Sequence, residues 1–122
     1  MKKSIKFALG VVSIMTSMMV FAGKDDAVII REASQNHVNV AKAKNLPDET
    51  SVTLTGVVSK HLQGDHYEFK DATGTISIEI DDDIWAESGV KLGDKVKLIG
   101  EVDTHREKPT DIEVVKIDKI AQ

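Results

Sequence analysis

A run of three carboxylates, Asp81-Asp82-Asp83, is the feature of this sequence with the clearest capacity for chemistry. Glu79 precedes the run and Glu87 follows it. Hard cations need several oxygen ligands converging at about 2.3–2.6 Å, and clustered carboxylates supply them, although the spacing here is not that of an EF-hand loop. The run therefore predicts either a weak site for divalent cations or Lys/Arg-rich peptides, or a helix cap with a solvated acidic face.

Two histidines, His61 and His66, bracket a short turn, across which their side chains could approach each other. Zinc or copper needs at least a third ligand, for which Asp65 is the nearest candidate. The alternative is that both histidines are solvated polar residues beside a loop. His37 and His105 are isolated in the sequence and are weaker candidates for metal ligands.

Three aromatic residues could form a stacking platform for bases or sugars: Tyr67, Phe69 and Trp85. However, Tyr67 and Phe69 share a face with the apolar residues of the following strand, so we expect them to pack in the core. We expect Trp85 to be partly exposed at one end of the fold.

Catalytic residue patterns are weak throughout the chain. The sequence has no cysteine, which excludes thiol catalysis and thiolate metal sites. It contains no Gly-x-Ser-x-Gly elbow, P-loop or His-Glu-x-x-His motif. A domain of about 100 residues also offers little concavity for a cleft. We therefore expect neither an enzyme nor a bound cofactor.

Alternation of apolar and polar residues predicts five strands, which begin near residues 52, 67, 76, 96 and 112. Gly56 and Gly100 lie inside two of them, where a missing side chain permits sharp coiling. A short helix is predicted from Val38 to Leu46, and one helical turn carrying Ile84 and Trp85 is predicted between strands 3 and 4.

This order of elements predicts an all-β fold, a five-stranded OB-fold Greek-key barrel, because a sandwich normally needs about seven strands. The barrel domain is expected to span residues 38–122. Residues 23–37 are polar and without a sustained period, so they are predicted to be a flexible N-terminal segment.

Residues 1–22 have the three parts of an export signal. Lys2, Lys3 and Lys6 form a basic start, residues 7–20 are mainly apolar, and Val20 and Ala22 suit signal peptidase. The apolar run is shorter than the about 20 residues needed to span a bilayer. We therefore predict a cleaved signal peptide and a periplasmic protein that is not membrane-anchored after cleavage.

Cleavage would make the protein more acidic. The full chain has 16 Lys and Arg against 20 Asp and Glu, and removing three lysines changes the net charge from −4 to −7. An acidic domain lacks the positive field that phosphate backbones require, so we do not expect a nucleic-acid partner.

Four blocks of sequence resemble the bacterial OB-fold family of exported stress-tolerance proteins: VAKAKNLPDETSVTLTGVV, YEFKDATGTISIEIDDDIW, VKLGDKVKLIGEVD and IEVVKI. The most specific piece is Tyr67-x-Phe69-x-Asp71-x-x-Gly74 followed by Ile78-Glu79-Ile80-Asp81 and Trp85. The resemblance implies a periplasmic, non-enzymatic domain linked to survival under envelope stress, and it supplies no catalytic residues.

Together these observations predict a periplasmic protein that binds cationic peptides or small cations through an acidic surface. The predicted ligand-binding residues are Glu68, Lys70, Ser77, Glu79, Asp81, Asp82, Asp83 and Trp85. One alternative is a divalent-metal-binding protein that uses His61, His66 and Asp65. Another is a module that docks a protein partner of the cell envelope through an exposed strand edge.

Overall fold

The computed structural model describes residues 24–120, so the predicted signal peptide lies outside the described residues. Within this range the chain forms five strands and three helices. The strands are β1 (Ser51–Gln63), β2 (His66–Asp71), β3 (Gly74–Glu79), β4 (Lys95–Asp103) and β5 (Asp111–Lys119). The helices are α1 (Asp26–Ala33), α2 (Val40–Ala43) and α3 (Asp82–Ser88).

The five strands form a closed barrel in the order β1-β2-β3-β5-β4. β1 is long enough to pair with β4 through its first half and with β2 through its second half. β3 and β5 pair in parallel over three residues, and all other pairs are antiparallel. The predicted five-stranded OB-fold barrel is confirmed, and the pairing of β3 with β5 closes it.

The barrel core contains the apolar residues that alternate along each strand, as the sequence predicts. Phe69 is fully buried and Tyr67 almost so, which confirms that both pack in the core. A bulge in β5 opposite Ile99 and Gly100 leaves Val115 outside the barrel. The core also contains Val52, Leu54, Val58, Ile76, Ile78, Ile80, Val96, Leu98, Val102, Ile112, Val114 and Ile117.

Two strand glycines allow the barrel wall to coil tightly. A Cβ atom on Gly56 would collide with the carbonyl oxygen of Lys70, and one on Gly100 would collide with that of Glu113. Each clash involves backbone on the neighbouring strand, which cannot move aside without breaking the sheet. Glycine is therefore required at both positions by close approach of two strands.

The helices α2 and α3 confirm the two predicted helical elements. The segment 23–37, which the sequence predicts to be flexible, contains the helix α1. Its Ile29 and Ala33 are buried against Ile99 on the outer side of β4. Among the helices of residues 24–120, none has the length and apolarity to cross a membrane.

Candidate functional site

Five carboxylates from three strands lie together on the outer surface of the barrel. They are Glu79 on β3, Glu101 and Asp103 on β4, and Asp111 and Glu113 on β5. These five residues are called the acidic face below. They alternate with the core residues of their strands, so their side chains point away from the barrel interior.

Strand register places the acidic face in two adjacent rows. Glu79 pairs with Glu113, which in turn pairs with Glu101, so three glutamates form the first row. Asp111 pairs with Asp103 in the second row. Side chains directly opposite on neighbouring strands have Cβ atoms about 4.5–5.5 Å apart, so like charges in a row repel one another.

Burial and this crowding together raise the pKa values of Glu79 and Glu113. Desolvation raises the pKa of Glu79, and the neighbouring Asp65 and Asp111 raise it further against the opposing effect of His66. The pKa of Glu113 is also raised, first by desolvation and then by Glu79 and Asp103. Neither glutamate forms an ion pair within residues 24–120.

Lys24 partly neutralises the negative charge of Glu101, the third glutamate of the row. Its Nζ lies 3.5 Å from a carboxylate oxygen of Glu101 and 2.8 Å from one of Glu32. The pKa of Glu101 is nevertheless raised, because desolvation outweighs the attraction of Lys24. The acidic face therefore has a lysine partner at its β4 end and no Lys or Arg partner at Glu79 and Glu113 within the described chain.

Two histidines flank the second row. His105 Nε2 lies 3.3 Å from Asp111 Oδ1 and 3.6 Å from Asp103 Oδ2. His66 Nε2 lies 3.9 Å from Asp111 Oδ2, and His66 Nδ1 lies 3.3 Å from Asp65 Oδ1. These contacts define two sets of potential metal ligands, Asp65–His66–Glu79 and Asp103–His105–Asp111.

The predicted approach of His61 to His66 is wrong, whereas Asp65 does lie beside His66. His61 pairs with Tyr67 across the hairpin, and their rings lie 4.8 Å apart. Because His66 is adjacent to Tyr67 in β2, its side chain points to the opposite face. His61 instead forms a 2.6 Å hydrogen bond with the carbonyl of Gly64. His105, which the sequence marks as a weaker candidate for a metal ligand, is the other histidine that lies beside Asp111.

The acidic run at residues 81–83 does not act as one unit. Asp81 lies near enough to Glu113 to raise the pKa of that carboxyl. Asp82 and Asp83 are exposed in the first turn of α3, where Asp83 accepts a hydrogen bond from the N–H of Ile84. Asp81 occupies the N-cap position, but its side chain forms no capping hydrogen bond.

Trp85 is partly buried at the end of the barrel, as expected. Its ring stacks on that of Tyr67 with a centroid distance of 4.5 Å and an interplanar angle of 24°. This contact ties α3 to the core, so one face of the indole is already occupied. Trp85 therefore contributes to packing.

The remaining predicted residues lie on the outer surface of β2 and β3, as their alternation indicates. Glu68 pairs with Ser77, and its carboxylate accepts a 2.6 Å hydrogen bond from Ser59. Lys70 pairs with Thr75 farther from the acidic face. Glu68 and Ser77 line a groove of about 380 Å³ together with Lys44, Leu62, Thr75, Ile76, Pro109 and Thr110.

Sequence reasoning missed Glu101, Asp103, Asp111 and Glu113, and it marked His105 only as a weaker candidate for a metal ligand. The alternation of β4 and β5 marks these carboxylates as outward-facing, but it does not say which strands are neighbours. The parallel pairing of β3 with β5, which places Ser77 beside Asp111 and Glu79 beside Glu113, supplies the missing information.

A small closed five-stranded barrel with this strand order is an OB-fold domain. A family model described as "Bacterial OB fold (BOF) protein" matches residues 21–119. The chain belongs to this family.

Relatives in three bacteria are similar to this chain. The calcium-regulated OB-fold protein CarO of Pseudomonas aeruginosa is 38% identical over 88 residues, which cover 71% of this chain and 76% of CarO. An uncharacterised protein of Haemophilus influenzae is 29% identical over 93% of this chain and 97% of its own length. The solved structure of YgiW from Escherichia coli has a TM-score of 0.64 and 39% identity, and the match covers 71% of this chain and 92% of YgiW.

More distant structures share the fold alone. The p204 HINb domain has a TM-score of 0.59 at 16% identity, over 74% of this chain and 50% of that one. Because OB-fold barrels host many unrelated activities, this structural similarity does not indicate a function for this chain.

Proposed function

We propose that this chain is an exported, non-enzymatic binding protein of the cell envelope that captures Lys/Arg-rich peptides on its acidic face. Export to the periplasm rests on the signal-like residues 1–22. A contribution to envelope stress tolerance rests on resemblance to the family. The ligand class rests on the arrangement of charges that the barrel creates.

The observation that carries the proposal is the row Glu79–Glu113–Glu101. Strand pairing fixes three carboxylates side by side, and the described chain gives only the third a lysine partner. A cationic ligand would replace this missing counter-charge and relieve repulsion within the row. The net charge of −7 after cleavage would add long-range attraction for such ligands.

The groove next to the acidic face would extend the binding surface. Ser77 and Thr110 form the end of the groove nearest the acidic face. Ser77 pairs with Asp111 in the sheet, and Thr110 directly precedes Asp111 in the chain. Leu62 is 48% exposed on its wall and offers apolar contact. The first half of β3, Gly74–Ile76, pairs with β2 on one side and with no second strand in residues 24–120. A peptide in the groove could therefore also bond to this short backbone edge.

The alternative, a module that docks a protein partner through an exposed strand edge, fits this structure less well. A closed barrel leaves no complete strand edge for a partner, and the free part of β3 is three residues long. Such a short edge supports an extended peptide better than a folded partner that must pair over a whole strand.

The proposal is tested by titrating the protein, purified after expression of the full chain, with an oligolysine peptide in a calorimeter. We expect the triple variant Glu79→Gln, Glu101→Gln, Glu113→Gln to bind about tenfold more weakly, since each exposed charge pair contributes about 0.5 kcal/mol. Binding of the original chain should also weaken with rising salt, because the contacts are exposed.

A matched variant controls for net charge. The substitutions Asp26→Asn, Glu87→Gln and Asp118→Asn remove the same number of exposed charges away from the acidic face. We expect this control to retain its affinity to within about twofold. Equal weakening in both variants would mean that net charge alone determines the affinity for oligolysine. An unchanged affinity in the glutamate triple variant would refute the proposed surface.

A further inference from the structure

A second groove, of about 610 Å³, lies on the outer wall of the barrel where β1 runs between β2 and β4. Val57 of β1 pairs with Lys70 of β2 on one side and with Lys95 of β4 on the other. Because neighbouring strands lie about 4.7–4.9 Å apart, the Cα atoms of the two lysines are about 10 Å apart. Asn39 and Thr55 also line this groove, which is called the basic groove below.

The two lysines of the basic groove have no carboxylate partner in the described chain. Neither forms an ion pair within residues 24–120. The acidic residues next to them in sequence have other partners. Asp71 accepts hydrogen bonds from donors of α2 and of the β2–β3 turn, and Asp94 lies 3.6 Å from Lys119 Nζ. The ammonium groups of Lys70 and Lys95 are therefore available to an external anion.

The neutral polar groups of the basic groove add further hydrogen-bond donors. The side-chain oxygen of Asn39 accepts a 2.9 Å hydrogen bond from the N–H of Lys42, which leaves its amide nitrogen to donate. Thr55 is exposed and contributes a hydroxyl group. A phosphate group has three strong acceptor oxygens, so it suits this set of donors better than a carboxylate with two.

The charge of the whole molecule favours a small ligand over an extended one. The net charge is −4 for the full chain and −7 without residues 1–22. Exposed charges more than about 8–10 Å apart are largely screened, so a small anion in the groove senses mainly the two lysines. An extended anionic surface would also face the surrounding acidic residues and be repelled. The volume of the groove also lies within the range of about 300–1,000 Å³ that is usual for small-molecule sites.

We propose that the basic groove binds a small, soluble phosphate monoester. Lys70 and Lys95 would hold the phosphate group, since lysine binds phosphate as a point charge. Val57 is half-buried between them and would contact the organic part of the ligand. The inference goes beyond the proposed function, because this site lies apart from the acidic face and takes a ligand of opposite charge.

The test is a titration of the ¹⁵N-labelled protein, purified after expression of the full chain, with phenyl phosphate, followed by ¹H–¹⁵N NMR. At about pH 7.5 the monoester is a dianion, because its second pKa is about 6. We expect the largest amide shift changes at Thr55, Val57 and Lys95. The double variant Lys70→Gln, Lys95→Gln should bind about tenfold more weakly, since each lysine faces a doubly charged group. Phenol, which lacks the phosphate, should cause no such changes.

A matched variant controls for the loss of positive charge. Arg106→Gln and Lys108→Gln remove two exposed basic groups from the loop between β4 and β5, away from the basic groove. We expect this control to keep its affinity for phenyl phosphate to within about twofold. Equal weakening in both double variants, or no shift changes in the groove at about a 100-fold excess of phenyl phosphate, would overturn the site. The amide spectrum of each variant shows whether its fold is intact.

Two other anionic partners are tested in parallel: vesicles of phosphatidylglycerol and an oligoglutamate peptide. We expect both to bind more weakly than phenyl phosphate, because each also meets the acidic surroundings of the groove. Tighter binding of either one would overturn the assignment to a small phosphate monoester.

Failure of this inference can be separated from failure of the proposed function. The lysine double variant retains the acidic face, so it should bind oligolysine like the original chain. The glutamate triple variant retains Lys70 and Lys95, so it should bind phenyl phosphate at least as tightly as the original chain. Binding of oligolysine without binding of phenyl phosphate by the original chain overturns the basic groove alone.

Discussion

Asp71 and Glu113 are both carboxylates at strand positions of one barrel, yet their surroundings have opposite effects. Burial alone would raise the pKa of Asp71, but hydrogen bonds from the Thr73 hydroxyl and from the N–H groups of Val40, Thr73 and Gly74 outweigh it. The pKa of Asp71 is therefore lowered. Burial raises the pKa of Glu113 as well, and there the acidic neighbours Glu79 and Asp103 raise it further.

This difference distinguishes a carboxylate that stabilises the fold from one that is available to bind a ligand. Asp71 Oδ2 accepts a 2.9 Å hydrogen bond from Val40 N–H, which fixes the start of α2 to the turn between β2 and β3. Thr73 adds a second bond, because its hydroxyl oxygen accepts a hydrogen bond from the N–H of Ala41. Asp71 thus stabilises the fold when ionised. Ionised Glu113 repels its neighbours and remains available for an external cation.

The largest expected effect concerns the backbone beneath the acidic face. Gly100→Ala should lower the free energy of unfolding by about 3 kcal/mol, because the new Cβ meets the carbonyl of Glu113 and forces β4 away from β5. Chemical denaturation monitored by circular dichroism measures this loss.

Gly89→Ala is the control for this substitution. Gly89 has a φ of 74° and open space around its Cβ position, so the control carries only the conformational cost of about 1 kcal/mol. Similar losses for both variants would show that close strand approach at Gly100 is unimportant.

Asp71→Ala should cost about 2 kcal/mol at pH 7, since it removes hydrogen bonds to a charged acceptor. Because folding lowers this pKa from its ordinary value of 3.8, the stabilisation is complete above that value and is lost as pH falls through the folded pKa. The difference between the original chain and the variant should therefore shrink below about pH 4. Denaturation curves at several pH values measure it, and a difference independent of pH contradicts the role of the ionised carboxylate.

Glu113→Gln should have the smallest effect and the opposite sign. Folding raises this pKa above 4.5, so ionisation destabilises the protein as pH rises through the folded pKa. The variant should be more stable than the original chain at pH 7, by at most about 1 kcal/mol because the site is exposed. The gain should disappear below pH 4.5, where the carboxyl is protonated in both states. A loss of stability at pH 7 would show that Glu113 is structural, like Asp71.

Alternation in the sequence was sufficient to predict the five strands, the core position of Phe69 and the outward position of Glu79. Local patterns could not predict the site, because it depends on pairs distant in the chain. Glu79 and Glu113 meet through the parallel pairing of β3 with β5. His66 lies on β2, next to β3, and its ring approaches Asp111 of β5.

Errors in the sequence-based predictions have similar physical origins. His61 and His66 are close in sequence, yet their positions in the strands place them on opposite faces. α1 was not predicted because its stability comes from packing Ile29 and Ala33 on β4 rather than from its own sequence pattern.

The central claim, that the acidic face captures cationic ligands, is tested most directly by two-dimensional ¹H–¹⁵N NMR during titration with oligolysine. We expect the largest amide shift changes at Glu79, Glu101, Asp103, Asp111 and Glu113, with smaller changes along the groove at Ser77 and Thr110. Shift changes confined to the acidic first turn of α3, or no changes at saturating peptide, would contradict it.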